Sequence, residues 1–141
     1  MKYSAWAILM LGLVIAAPSG AQAQPGSEGR PAQLERNYPN PFNPETTIPF
    51  VLSPELWDVE KPVVTLRIYN VLAQLVAIPI LQGSGDQLEN VELDWNGTGR
   101  FEAYWDGKVL GTGREAASGV YVYQLIVNGR AVGSMKMTII K

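Results

Sequence analysis

Residues 37–48 read Asn-Tyr-Pro-Asn-Pro-Phe-Asn-Pro-Glu-Thr-Thr-Ile, and no other stretch narrows the conformations of the chain so much. Pro39, Pro41 and Pro44 fix φ near one value and remove three backbone donors. Each residue ahead of a proline, Tyr38, Asn40 and Asn43, is pushed out of the helical region. The stretch is therefore stiff, extended and non-helical. It loses little entropy on docking, because the same restriction already applies to the unfolded chain. Phe42 is its apolar anchor. Two readings follow: a rigid lead-in whose phenylalanine plugs the end of a domain, or a preformed recognition arm.

The 141 residues are 47% apolar and 17% charged, an ordinary composition for a folded protein, and one domain is expected. The formal charge is -2 and the basic residues are scattered, so neither a nucleic-acid nor an anionic-membrane partner is expected. Cysteine and histidine are both absent. That excludes disulfides, thiol chemistry, Cys/His zinc sites and any Ser-His-Asp or Cys-His nucleophile.

The N-terminus carries export signals. Lys2 supplies a short positive region, residues 5–17 are uncharged, and Ala21-Gln22-Ala23 gives a small-x-small cleavage pattern before Gln24. Residues 1–23 are thus expected to be a secretory signal peptide. An uncleaved anchor needs about twenty apolar residues, and Pro18-Ser19-Gly20 interrupts the run first. With no cysteine at the cleavage site a lipid anchor there is excluded. Removing the segment takes away one lysine and no acid, so the net charge moves from -2 to -3. Residues 24–32 form a flexible spacer without apolar period, and order is expected from near Leu34.

From Thr46 the pattern has period two, with Ile48, Phe50 and Leu52 on one face; Pro49 is expected to confine that strand to an edge or a bulge. Residues 53–62 are a loop or a single helical turn. Residues 63–69 are the cleanest strand, with Val64, Leu66 and Ile68 facing one way. Residues 75–81 are β-rich and broken by Pro79. Residues 88–95 alternate, and Asn96-Gly97 predicts a hairpin returning through residues 101–105 to a second turn at Asp106-Gly107. Residues 107–119 are loop. Residues 120–127 are strongly β-forming, Asn128-Gly129 predicts another hairpin, and residues 132–140 return. Seven to eight short antiparallel strands and no helix of length predict an all-β sandwich over residues 33–141.

The ordered series Asn37-Tyr38-Pro39-Asn40-Pro41-Phe42-Asn43-Pro44 with Thr46-Thr47-Ile48, Leu66-x-Ile68-Tyr69-Asn70, Trp105-Asp106-Gly107, Ala117-Ser118-Gly119-Val120-Tyr121-x-Tyr123, Lys136-Met137 and the final Lys141 resembles the type A C-terminal sorting domain of the type IX secretion system, also described as a FlgD-like immunoglobulin-like domain. The resemblance implies an immunoglobulin-like β-sandwich carried by secreted proteins of the Bacteroidetes and related groups. It implies export by signal peptide to the periplasm, recognition by outer-membrane secretion and sortase-like proteins, and delivery to the cell surface or beyond. It implies no chemistry and no cofactor. The expected recognition residues are Asn37, Tyr38, Pro39, Asn40, Pro41, Phe42, Asn43, Pro44, Gly119, Tyr121, Lys136 and Lys141, with the arm packed beside the final strand. Three departures stand out. Ala73 replaces the usual glycine after the Tyr-Asn-x-x unit, tolerable if its φ stays negative. The segment 83–104 is longer than usual, as though a hairpin were inserted. Only about ten residues separate the expected cleavage site from the domain, which suggests either a module that is itself the product or a gene remnant.

Other sites are weaker. Asp94, Asn96, Thr98 and Gly99 begin like a calcium loop, but position twelve is Trp105 rather than a bidentate glutamate. Trp57, Trp95, Tyr104 and Trp105 offer a sugar platform, though large aromatics in a small sandwich usually pack, and adjacent Tyr104 and Trp105 must face opposite ways on a strand. No spacing among Glu92, Asp94 and Asp106 marks a catalytic pair. No metal, cofactor, small-molecule substrate or enzymatic activity is expected. A stand-alone structural or adhesive surface sandwich is the alternative function, and a carbohydrate-binding module the third.

Overall fold

The computed structural model describes residues 30–141; the expected signal peptide and most of the spacer lie outside them. Among the described residues nine antiparallel strands form two sheets. The first has the order β1 (Ala32–Leu34), β2 (Thr46–Leu52), β7 (Arg100–Trp105), β5 (Ile80–Leu81). The second runs β4 (Leu75–Ala77), β3 (Val63–Tyr69), β8 (Gly119–Val127), β9 (Arg130–Ile139), and β6 (Val91–Glu92) shares with β4 the edge of β3 that faces away from β8. The expected β-sandwich is present; the split of residues 75–81 into two short strands and β1, which starts at Ala32 within the expected spacer, bring the strand number to nine.

Period-two patterning builds the core. Ile48, Phe50 and Leu52 from β2 meet Val64, Leu66 and Ile68 from β3, all at most 1% exposed, each burial worth about 1.5–3 kcal/mol. Tyr123, Leu125, Met137 and Ile139 fill the space beside them. Asn128-Gly129 makes the expected tight hairpin between β8 and β9, both residues at positive φ (50° and 81°), as a type I′ turn requires. Pro54–Trp57 forms a single 3₁₀ turn.

Four expectations are corrected. Pro49 does not sit on an edge, because β2 lies between β1 and β7. Its carbonyl accepts from Glu35 N (3.0 Å), so its nitrogen also faces the side where β1 has just ended, and no bond to β7 is lost. Residues 75–81 are not one interrupted strand. The chain crosses at Ile78-Pro79 from the second sheet to the first, leaving β4 and β5 in different layers.

The hairpin around Asn96-Gly97 is absent, since β6 belongs to one sheet and β7 to the other. Only Val91–Glu92 pairs. Upstream, Leu88 O accepts from Leu66 N (2.8 Å), while Thr65 Oγ1 accepts from Asn90 N (2.8 Å) with Asn90 at φ 52°. The segment therefore lies over the edge of β3, burying Leu88 and Thr65. Asn96 organises a between-sheet turn: Oδ1 accepts from Thr98 N and Gly99 N (3.0 and 2.8 Å), and Nδ2 donates to Arg100 O (2.7 Å). Gly99, at φ 76°, has room for no Cβ, which would stand 2.4 Å from Leu52 O.

The fourth correction concerns Ala73, whose φ is +62°. An L-residue there costs roughly 1–2 kcal/mol, which glycine avoids at the expense of about 0.5–1 kcal/mol of chain entropy. Ala73→Gly is thus expected to stabilise the fold by about 0.5–1 kcal/mol, seen as a higher urea midpoint at unchanged slope. A lower midpoint would contradict this account of the turn.

Candidate recognition surface

The arm does not project. After β1 the chain bulges and returns to β2, where Tyr38 N donates to Thr47 O (2.9 Å) and Thr47 N to Tyr38 O (2.8 Å). Within the bulge Asn37 is 3% exposed. Its backbone N donates to Tyr123 Oη (3.0 Å), and Tyr123 Oη donates to Glu35 O (2.7 Å). A tyrosine hydroxyl in the core thereby holds both sides of the bulge. Asn37 Nδ2 donates to Thr46 Oγ1 (3.0 Å), and Thr46 Oγ1 donates to Pro39 O (3.1 Å), closing the proline loop at its base. The three X-Pro bonds at Pro39, Pro41 and Pro44 are cis.

Beyond the loop the arm docks on the last strand. Phe42 forms a parallel bridge with Ile139: its N donates to Thr138 O (3.0 Å), and Ile140 N donates to its carbonyl (3.1 Å). Asn40 Oδ1 accepts from Thr138 N (3.2 Å). The Phe42 ring is 2% exposed and meets Trp105 edge to face at 5.7 Å; Trp105 in turn meets Tyr121 at 5.8 Å. Trp105 Nε1 donates to Lys108 O (3.0 Å) and Tyr121 Oη to Ala117 O (2.7 Å), so each buried polar handle has a partner. The tyrosine bonding back four residues at the start of a strand has the form of an immunoglobulin-type tyrosine corner. Gly107 lies under Pro44: a Cβ there would be 2.1 Å from Pro44 O, and its φ is +82°.

The C-terminus joins the same end. Lys141 N donates to Ser118 Oγ (3.1 Å), and Lys141 Nζ pairs with Glu115 (3.3 Å). Gly119 opens β8 at φ 149°. Of the twelve expected residues, Asn37, Phe42 and Tyr121 are buried frame. Tyr38, Pro39, Asn40, Pro41, Asn43, Pro44, Lys136 and Lys141 present surface, and Gly119 is half-buried. Thr46, Gly107, Ser118 and Tyr123 were not among them, yet they fix the arm and the terminus. The legible signal was Tyr123, an inward tyrosine on an alternating strand whose hydroxyl needs a partner.

Tyr38 and Tyr104 lie on the outer face of the first sheet. The Tyr38 hydroxyl donates to Glu102 Oε1 (2.9 Å), and that bond, then burial, raises its pKa. The Tyr104 hydroxyl donates to the Glu45 carboxylate, which together with burial pushes its pKa up to about 12.

The aromatics do not assemble into a platform. Trp105 is core, Tyr104 faces outward as β7 alternation requires, and Trp57 and Trp95 meet at 5.0 Å elsewhere, beside Phe101. Asp94 pairs with Lys61 (2.7 Å) and the Asn96 side chain is committed to its turn. Among the described residues no group of three or more acidic residues could hold a metal ion.

With this geometry in view, comparison with known proteins adds a likeness of fold. A segment of dimeric latent PorU from Porphyromonas gingivalis superposes with TM-score 0.57 and 23% identity over 77% of this chain. The chain spans only 9% of that protein. The alkylpurine DNA glycosylase AlkC of Pseudomonas fluorescens, solved with DNA containing an abasic site analogue, gives TM-score 0.48 at 18% identity, covering 79% of this chain and 31% of that one. A conjugate transposon protein of Bacteroides vulgatus gives 0.43 at 12% identity, covering 77% and 81%. No protein-family model matches the chain, and no curated protein does.

Two outcomes test the site. Gly107→Ala combines left-handed strain with a clash against the Pro44 carbonyl, so it is expected to cost at least about 2 kcal/mol and to move the Trp105 near-ultraviolet signal; a neutral effect would mean Pro44 is not seated there. Glu45→Gln is expected to return one tyrosine from about 12 toward 10 in an ultraviolet titration. The folded value is the raised one, so the stabilisation from the pair is complete below pH 10 and is lost as pH rises through about 12.

Proposed function

We propose that this chain is an exported, non-catalytic module that acts by protein–protein recognition at the outer membrane, as a sorting-type domain read by type IX secretion and sortase-like proteins on the way to the cell surface. One observation carries the reading: the proline arm, Trp105-Asp106-Gly107, the segment around Tyr121 and the final lysine meet at one end of the sandwich through Phe42, Gly107 and Thr138. A motif series scattered over a hundred positions that converges on one surface supports recognition as a folded whole. Asn40, Pro41, Asn43 and Pro44 in the arm, with Lys141, are the side chains a partner would touch; Asn37, Phe42 and Tyr121 hold them in place, while Lys136 stands apart on the outer face of the second sheet beside Val122. The likeness to a segment of PorU is one of fold.

The structural or adhesive alternative needs an exposed edge for assembly. The edges of the first sheet are strands of three and two residues, and the end of β9 is occupied by the arm, which favours recognition over edge-to-edge assembly.

A reporter fused ahead of residues 24–141 and behind a signal peptide tests the proposal. Surface delivery is expected in a host with the type IX machinery and periplasmic retention in its secretion mutant. Equal delivery in both would overturn it.

A further inference from the structure

The outer face of the second sheet carries a feature that the sorting-end contacts do not use. After β3 the chain turns through residues 70–74, and the two side chains at its tip, Val71 and Leu72, are 73% and 74% exposed. The turn is firmly built. Asn70 Oδ1 accepts from Leu72 N (2.9 Å) and Gln74 N (3.0 Å), Asn70 Nδ2 donates to Gln74 Oε1 (2.8 Å), and Asn70 N donates to Gln74 O (3.0 Å). Turn tips are normally polar, and two large branched apolar side chains on a hydrogen-bonded turn are carried on a preordered backbone, which lowers the ordering cost of binding. The loop walls a groove of about 390 Å³ whose floor is Tyr69, Val122, Gln124 and Ser134.

Charge supplies the complement. Strand register sets Tyr69 beside Val122 and Val122 beside Lys136, and β9 alternation puts Lys136 on the outer face while Met137 is buried. Arg67, one row along, is neutralised by Glu89 (3.1 Å), whereas Lys136 makes no ion pair among the described residues. In a chain of net negative charge, an apolar knob thus walls the groove, and an unneutralised cation stands next to Val122 of its floor.

We propose that this groove binds an extended peptide segment of another protein, one that presents a branched apolar or aromatic side chain to Val71, Leu72 and Val122 and a carboxylate to Lys136. The inference does not rest on the sorting reading, and its test is binding in vitro, independent of export.

The test is selection of displayed random linear peptides on the purified protein, followed by fluorescence polarisation with the winners. Enriched peptides pairing a large apolar residue with Asp or Glu are expected, with affinity falling about tenfold or more in V71S/L72S and in Lys136→Glu, and falling with salt. All these positions are exposed, and unchanged melting temperatures confirm folding. Enriched peptides lacking an acid, or binding indifferent to both variants, would overturn the proposal. So would concentration-dependent dimerisation lost in V71S/L72S, which would assign the face to a second copy, or binding to phosphatidylglycerol vesicles lost in the same variant, which would assign it to a lipid surface.

Discussion

The structure depends on the seating of Phe42. Its ring closes one end of the core against Trp105, and its backbone pairs with Thr138 and Ile140 on the last strand. Burying an aromatic side chain of that size is worth several kcal/mol, because truncation leaves a cavity as well as losing transfer energy. The two backbone bonds add direction to that energy: they set the position of the arm along β9, and hence where Asn40, Pro41, Asn43 and Pro44 stand. Without the phenylalanine the prolines would still be stiff, but nothing would fix where they point.

A second layer of constraint runs through hydroxyls and glycines. Tyr123 accepts from Asn37 and donates to Glu35, tying a residue far along the chain to the start of the arm. Thr46 closes the loop base, and Gly107, having no Cβ, leaves room for Pro44 where it lies. These interactions couple the arm, β7, β8 and the C-terminal lysine into one cooperative end. A partner reading the exposed side chains of that end reads a folded domain, and an unfolded or truncated chain would not present them together.

Much of this was legible in the residues. Alternation located β2, β3, β8 and β9, and Asn128-Gly129 gave its hairpin, because period-two burial and a tight turn are local properties. What failed was partner choice. Asn96-Gly97 carries the same local signal, yet the flanking segments pair with β3 and β2, since Leu66, Thr65 and Leu52 offer donors and acceptors that no local rule sees. Pro49 misled for a similar reason: its missing donor faces the place where β1 ends, a fact of tertiary layout. At the arm end, Phe42 as a plug was readable from composition of the arm. The separation of frame from surface was not, because it depends on Tyr123, Gly107 and Ser118 arriving from distant strands.

The central claim is that the arm is part of the folded domain and shares its stability. Native-state hydrogen exchange at the amides of Phe42 and Ile140 tests it most directly. The account predicts that both exchange only with the global unfolding free energy, alongside the amides of β8. Exchange of Phe42 and Ile140 at the rate of an open loop while β8 stays protected would contradict it, and would return the arm to a loose lead-in ahead of an independent sandwich.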